Sequence, residues 1–136
     1  MRVAAVFVPG KNRDRLLEVT KSLARGIEAQ GHQVDLIDAG RDFNSKLSVY
    51  QYIALGTEQT TFFGGRIPSR IGEFLKNAGV VGGKKTFAFV IKKPVGAGKA
   101  LSRLMKVMEG EGMFIRFSDV VRSAAEAEII GKRLQI

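Results

Sequence analysis

Short apolar runs alternate along the chain with longer segments of helical periodicity. Val3-Ala4-Ala5-Val6-Phe7-Val8 is uninterrupted and rich in β-branched residues. Such a run suits a strand covered on both faces, as in a parallel sheet. Pro9-Gly10 ends it. Asn12 is placed to cap a helix over 13–30, where Leu16, Leu17, Leu23, Ala24 and Ile27 form an apolar stripe with Val19 at its margin. Gly31 supplies the stop. Residues 32–38 partly alternate and suit an edge strand. A polar loop over 39–49 leads to a strand over 50–56.

Pro68 and Ser69 open the next helix, packed through Ile71, Phe74, Leu75 and Ala78 and ended by Gly79. The run from Lys85 to Ile91 is another apolar strand. A helix over 99–111 presents Leu101, Leu104, Met105 and Met108 on one side, and Gly112 closes it. A last strand over 113–117 precedes a closing helix from Ser123 to the C-terminus, in which Gly131 weakens the signal near the end. Strands alternating with helices predict a parallel sheet with right-handed crossovers. There is no internal repeat, low-complexity tract or second domain, so 1–136 reads as a single domain.

Composition narrows the function. Hydrophobic residues make up 45% of the chain, enough for a core, and mean hydropathy is +0.01. No apolar run approaches the ~20 residues of a membrane helix. A strand starts at Arg2-Val3 without a signal-peptide pattern, so the expected location is the cytoplasm. The absence of cysteine excludes disulfides, thiolate metal sites and thiol chemistry. The single histidine, His32, follows a helix end away from the strand C-termini, and argues against a histidine metal site or a catalytic triad.

The net charge is +9, from 22 basic and 13 acidic residues. In an open α/β sheet the ligand crevice lies beyond the C-terminal strand ends. Every loop expected there carries positive charge: Lys11, Arg13 and Arg15; Arg41; Arg66 and Arg70; Lys92, Lys93 and Lys99; Arg122. An anionic ligand or partner is expected at that edge. Glu58 and Asp119 are placed near it too, but one carboxylate per loop makes no acid–base pair, and no catalytic constellation is visible.

The strand ending at Gly56-Thr57, the loop with Phe62-Phe63-Gly64-Gly65, Pro68, the helix Ile71-Gly72-Glu73-Phe74-Leu75, and Gly83-Lys84-Lys85 leading into Phe87-Ala88-Phe89-Val90 together resemble the flavodoxin family. The order of elements agrees over nearly the whole chain. The resemblance implies a flavodoxin-like α/β fold: a five-stranded parallel sheet in the order 2-1-3-4-5 with helices on both faces. It also implies FMN as cofactor, used for electron or hydride transfer by a carrier or reductase. The phosphate would sit against Gly10, Lys11, Asn12 and Arg13. The ring would lie between the loop holding Thr57, Phe62, Phe63, Gly64 and Gly65 and the loop holding Pro94, Gly96 and Gly98. Phe62 and Phe63 are either ring-stacking residues or plugs for the adjacent helix.

The chain departs from the family at the first turn. Flavodoxins place a hydroxyl-rich Ser/Thr-x-Thr-Gly-x-Thr loop there. Pro9-Gly10-Lys11-Asn12-Arg13-Asp14-Arg15 has no hydroxyl, and Pro9 has no N–H. Backbone donors at the helix start and the charges of Lys11, Arg13 and Arg15 remain for an anion, or the turn is an ordinary capped one. Lys92-Lys93-Pro94-Val95-Gly96-Ala97-Gly98-Lys99-Ala100 resembles a P-loop but lacks the glycine that motif needs where Lys93 stands and the Ser/Thr it needs where Ala100 stands, so nucleotide hydrolysis is not expected.

A second function stays open: a flavin-free module of the same fold whose basic rim docks an acidic protein, such as an acidic redox partner, or an anionic small molecule. Nucleic acid is supported only where aromatics meet a basic residue at Phe62-Phe63-Gly64-Gly65-Arg66. Self-association stays open as well.

Overall fold

In the computed structural model, which describes residues 1–136, nine elements follow one another. They are β1 (Arg2–Val8), α1 (Arg13–Glu28), β2 (Gln33–Asp38), β3 (Tyr52–Thr57), α2 (Arg70–Lys76), β4 (Lys85–Ile91), α3 (Ala97–Gly110), β5 (Phe114–Val121) and α4 (Ala124–Arg133). The strands form one sheet in the order β2-β1-β3-β4-β5. Every pair is parallel, as the sequence pattern predicts.

The uninterrupted apolar runs become the central strands, where both faces are covered. Residues 3–8 of β1 and the whole of β3 are buried, whereas β2, at one edge, is only partly so. On one face Val6, Ile53, Leu55 and Val90 pack under α2 and α3 through Phe74, Leu75, Leu104 and Met108, in a cluster of 21 buried residues. On the other, Phe7, Tyr52, Phe87 and Phe89 meet α1 and α4 through Leu16, Leu23, Ile27 and Ala127, in a cluster of 14.

Several boundaries differ from the sequence expectation. The first helix ends at Glu28 rather than residue 30, and the second is confined to Arg70–Lys76. The third starts earlier, at Ala97, because Gly96 adopts φ +94° and turns the chain directly into it. β5 runs on to Val121 through Ser118 and Asp119. These polar residues interrupt the apolar pattern but are tolerated on an edge strand. The 39–49 connection also does more than bridge. Leu47 is fully buried, and Phe43 packs edge-on against Phe74 with ring centres 6.2 Å apart.

The closing helix ends at Arg133 rather than at the C-terminus, and Gly131 lies inside it. Gly131 lies where α4 crosses α1. A Cβ on Gly131 would stand 2.3 Å from the Leu23 carbonyl oxygen, and one on Gly26 would stand 2.2 Å from that of Glu128. The two glycines let the helix backbones touch. In the sheet, Thr86 pairs with Ile115 but Phe87 pairs with Phe117, so Arg116 is an extra residue on β5. This bulge lies on the outermost strand.

Candidate functional site

The parallel sheet brings the turns after β1, β3 and β4 to one edge. Between them lies a slot of about 420 Å³. It is lined by Lys11 and Asn12 from the first turn, residues 58–62 from the third, and Lys93 and Pro94 from the fourth.

The first turn is tight. Asn12 caps α1, its side chain accepting from the Arg15 N–H at 3.4 Å. The Asn12 N–H itself donates to Glu58 Oε1 at 3.1 Å. The Glu58 side chain lies against Gly10, where a Cβ would stand 3.1 Å from its Cγ. Glu58 is 2% exposed, and its Oε2 has no hydrogen-bond partner. An acidic side chain of the protein therefore fills the hollow at the start of α1.

The third turn begins with Thr57, whose hydroxyl donates to the Val8 carbonyl at 2.7 Å and joins β3 to β1. Gln59 comes next. Its amide nitrogen donates to the Thr61 carbonyl at 2.8 Å and to the Val95 carbonyl at 2.7 Å, tying the third turn to the fourth. Its Oε1 is buried without a partner. The loop beyond is closed by Thr60 N–H donating to the Arg66 carbonyl at 2.7 Å. Phe62 and Phe63 stand at its tip, 73% and 64% exposed, packed edge to face with centres 4.7 Å apart. Gly65, at φ +64°, lies so close to the start of α3 that a Cβ would meet the Gly96 carbonyl oxygen at 2.5 Å.

Of the residues singled out in the sequence, Lys11, Asn12, Phe62 and Pro94 line the slot. Gly10 lies beneath Glu58. Thr57 is buried in the sheet, and Phe63 and Gly64 are exposed on the loop tip. Gly65 and Gly96 hold the loops together, and Gly98 lies within the first turn of α3. Arg13 turns away. Its guanidinium is paired with Asp38 at 2.7 Å, and Arg41 approaches the same carboxylate at 3.8 Å. Arg15 donates to the Arg122 carbonyl at 3.1 Å, and Arg70 to that of Pro9 at 3.4 Å. Much of the expected basic rim thus holds the protein together, leaving Lys11 and Lys93 at the slot. Asp119 is also displaced from the expected place. It lies within β5 and lines a separate cavity with Tyr52, Arg116 and Arg133. Gln59, Thr60 and Thr61 were not singled out by the sequence reading, and Glu58 only as a lone carboxylate. No local signal in the sequence marks them; they continue the wholly buried strand β3.

The topology agrees with known structures along nearly the whole chain. Oxidised flavodoxin 1 from Bacillus cereus superimposes with a TM-score of 0.71 at 16% identity, covering 99% of this chain and 100% of that one. Oxidised flavodoxin 2 from the same organism gives 0.70 at 14%, covering 96% and 95%. A flavodoxin from the domain Archaea gives 0.65 at 15%, covering 97% and 94%. The fold is flavodoxin-like. No protein-family model matches the chain, and no curated protein matches it in sequence. At such identities the flavodoxin-like likeness concerns the backbone; the side chains of the slot are this chain's own.

Proposed function

We propose that this flavodoxin-like protein binds a flavin by its ring at the carboxyl edge of the sheet and serves in electron transfer. The observation that carries the reading is the slot itself: about 420 Å³, with exposed Phe62 on one side and the Pro94 turn on the other. That volume is in the usual range for a small-molecule site. The full-length likeness to flavodoxins supports it.

The two ends of FMN meet different surroundings. For the ring there is an aromatic face at Phe62, and two loops locked in place by Gln59. For the phosphate there is no hydroxyl between Pro9 and Asn12, and the Asn12 N–H is already taken by Glu58. Phe62 and the locked loops favour the ring end, and the residues of the first turn do not fit the phosphate end. A bound flavin would supply the redox chemistry. The chain would hold the ring between Phe62 and Pro94, limit access of water, and offer Lys11 and Lys93 at the mouth to an acidic partner.

The test is the absorbance spectrum of the purified protein, alone and after adding riboflavin or FMN. A bound flavin band, shifted from that of the free compound, is expected. Colourless protein that takes up neither would end the reading.

A further inference from the structure

Two residues that line the slot each keep a buried hydrogen-bond acceptor without a donor. Glu58 and Gln59 are 2% and 6% exposed. Glu58 Oε1 is used by the Asn12 N–H at 3.1 Å, while Oε2 is buried and unpaired. The Gln59 amide cannot be turned round, because its nitrogen faces the Thr61 and Val95 carbonyls, both acceptors. Its Oε1 is left unpaired and buried. Such atoms cost stability until a donor reaches them. Two such residues lining one slot favour a ligand that donates over one that only accepts.

A phosphate monoester is the wrong complement. It brings acceptor oxygens and negative charge, competes with Glu58 for the Asn12 N–H, and meets an acidic side chain where it needs donors. A hydroxyl group is the right one, since it can donate a hydrogen bond to the Glu58 carboxylate. We propose that the ligand is a flavin without a phosphate, of the riboflavin type, whose side-chain hydroxyls donate to Glu58, and that the Glu58 carboxyl closes the anion seat at the start of α1. The choice of flavin rests on the function proposed above; the closing of the seat by Glu58 does not.

The experiment compares riboflavin and FMN by fluorescence titration of the full chain and of Glu58→Gln at matched ionic strength. Wild type is expected to bind riboflavin at least tenfold more tightly than FMN. Glu58→Gln is expected to gain at least tenfold in FMN affinity and to lose affinity for riboflavin, because the oxygen that accepts from the ligand's hydroxyls becomes an amide donor. FMN binding to wild type as tightly as riboflavin, with Lys11 and Lys93 outweighing Glu58, would overturn the proposal. So would a Glu58→Gln variant with unimproved FMN affinity. If neither flavin binds either protein, the flavin reading fails, and inorganic phosphate judges the closed seat by itself. Phosphate, against a chloride control, should raise the melting temperature of Glu58→Gln and not that of wild type. Equal stabilisation of both, or of neither, would show that Glu58 does not close the seat.

Discussion

Gly26 of α1 and Gly131 of α4 meet backbone to backbone. A Cβ on Gly26 would stand 2.9 Å from the Gly131 Cα, and one on Gly131 would stand 3.0 Å from the Gly26 Cα. Helix propensity alone favours alanine at either place by about 1 kcal/mol. The contact reverses the sign, because a methyl group there must push the helices apart. Gly26→Ala and Gly131→Ala should each destabilise the fold by about 1–3 kcal/mol. Urea denaturation measures this, and a stabilised variant would show that the crossing is looser than described.

Gln59 links two loops through one amide. Gln59→Ala removes the donor and leaves the Thr61 and Val95 carbonyls without it. A loss of about 1–3 kcal/mol is expected. Hydrogen exchange should rise in the 60–66 and 93–98 loops more than in β3. A loss of stability with unchanged loop protection would contradict the linking role.

Phe62 is mostly exposed, so its truncation should barely alter stability, by less than about 0.5 kcal/mol. If a flavin ring lies against it, Phe62→Ala should weaken flavin binding roughly fivefold, the worth of one aromatic contact. Fluorescence titration alongside urea denaturation separates the two effects. Unchanged affinity in a protein that does bind flavin would remove Phe62 from the site.

Both tyrosines hold their protons more tightly than usual. Burial pushes the Tyr52 hydroxyl up to about 12 from the ordinary 10.0. Tyr50 is also raised, first by burial and then by its hydrogen bond to Asp35. The folded state thus keeps protons that the unfolded chain releases. Their contribution to stability is complete below about pH 10 and is lost as pH rises through about 12. Urea midpoints should fall across that window. Tyr52→Phe, which has no proton to lose, should fall less steeply; an identical slope would show that Tyr52 does not govern the alkaline limb.

The sheet was legible because its central strands are covered on both sides. Sequences such as Val3 to Val8 and Phe87 to Ile91 then carry no polar interruption, and β4 begins and ends where the pattern predicts. Where one side is open, the pattern fades: β5 was cut short at Ser118, whose polarity its edge position allows. The role of Gly131 was hidden for a related reason, since a helix crossing depends on a partner distant in the chain. At the site, Lys11, Asn12, Phe62 and Pro94 were legible because strand-end turns converge in this topology. Glu58 and Gln59 were not recognised as the wall of the slot. Burial continues through them beyond the end of β3, and nothing local distinguishes a polar residue turned inward from one facing water.

The extra residue at Arg116 has a consequence for how molecules meet. The outer edge of β5 has no neighbouring strand, and an even ladder of amide and carbonyl groups there would invite the edge of another copy. Inserting one residue spoils the spacing of that ladder and places a cation beside the break. Approaching chains find no continuous template, which guards a concentrated solution against fibre-like joining.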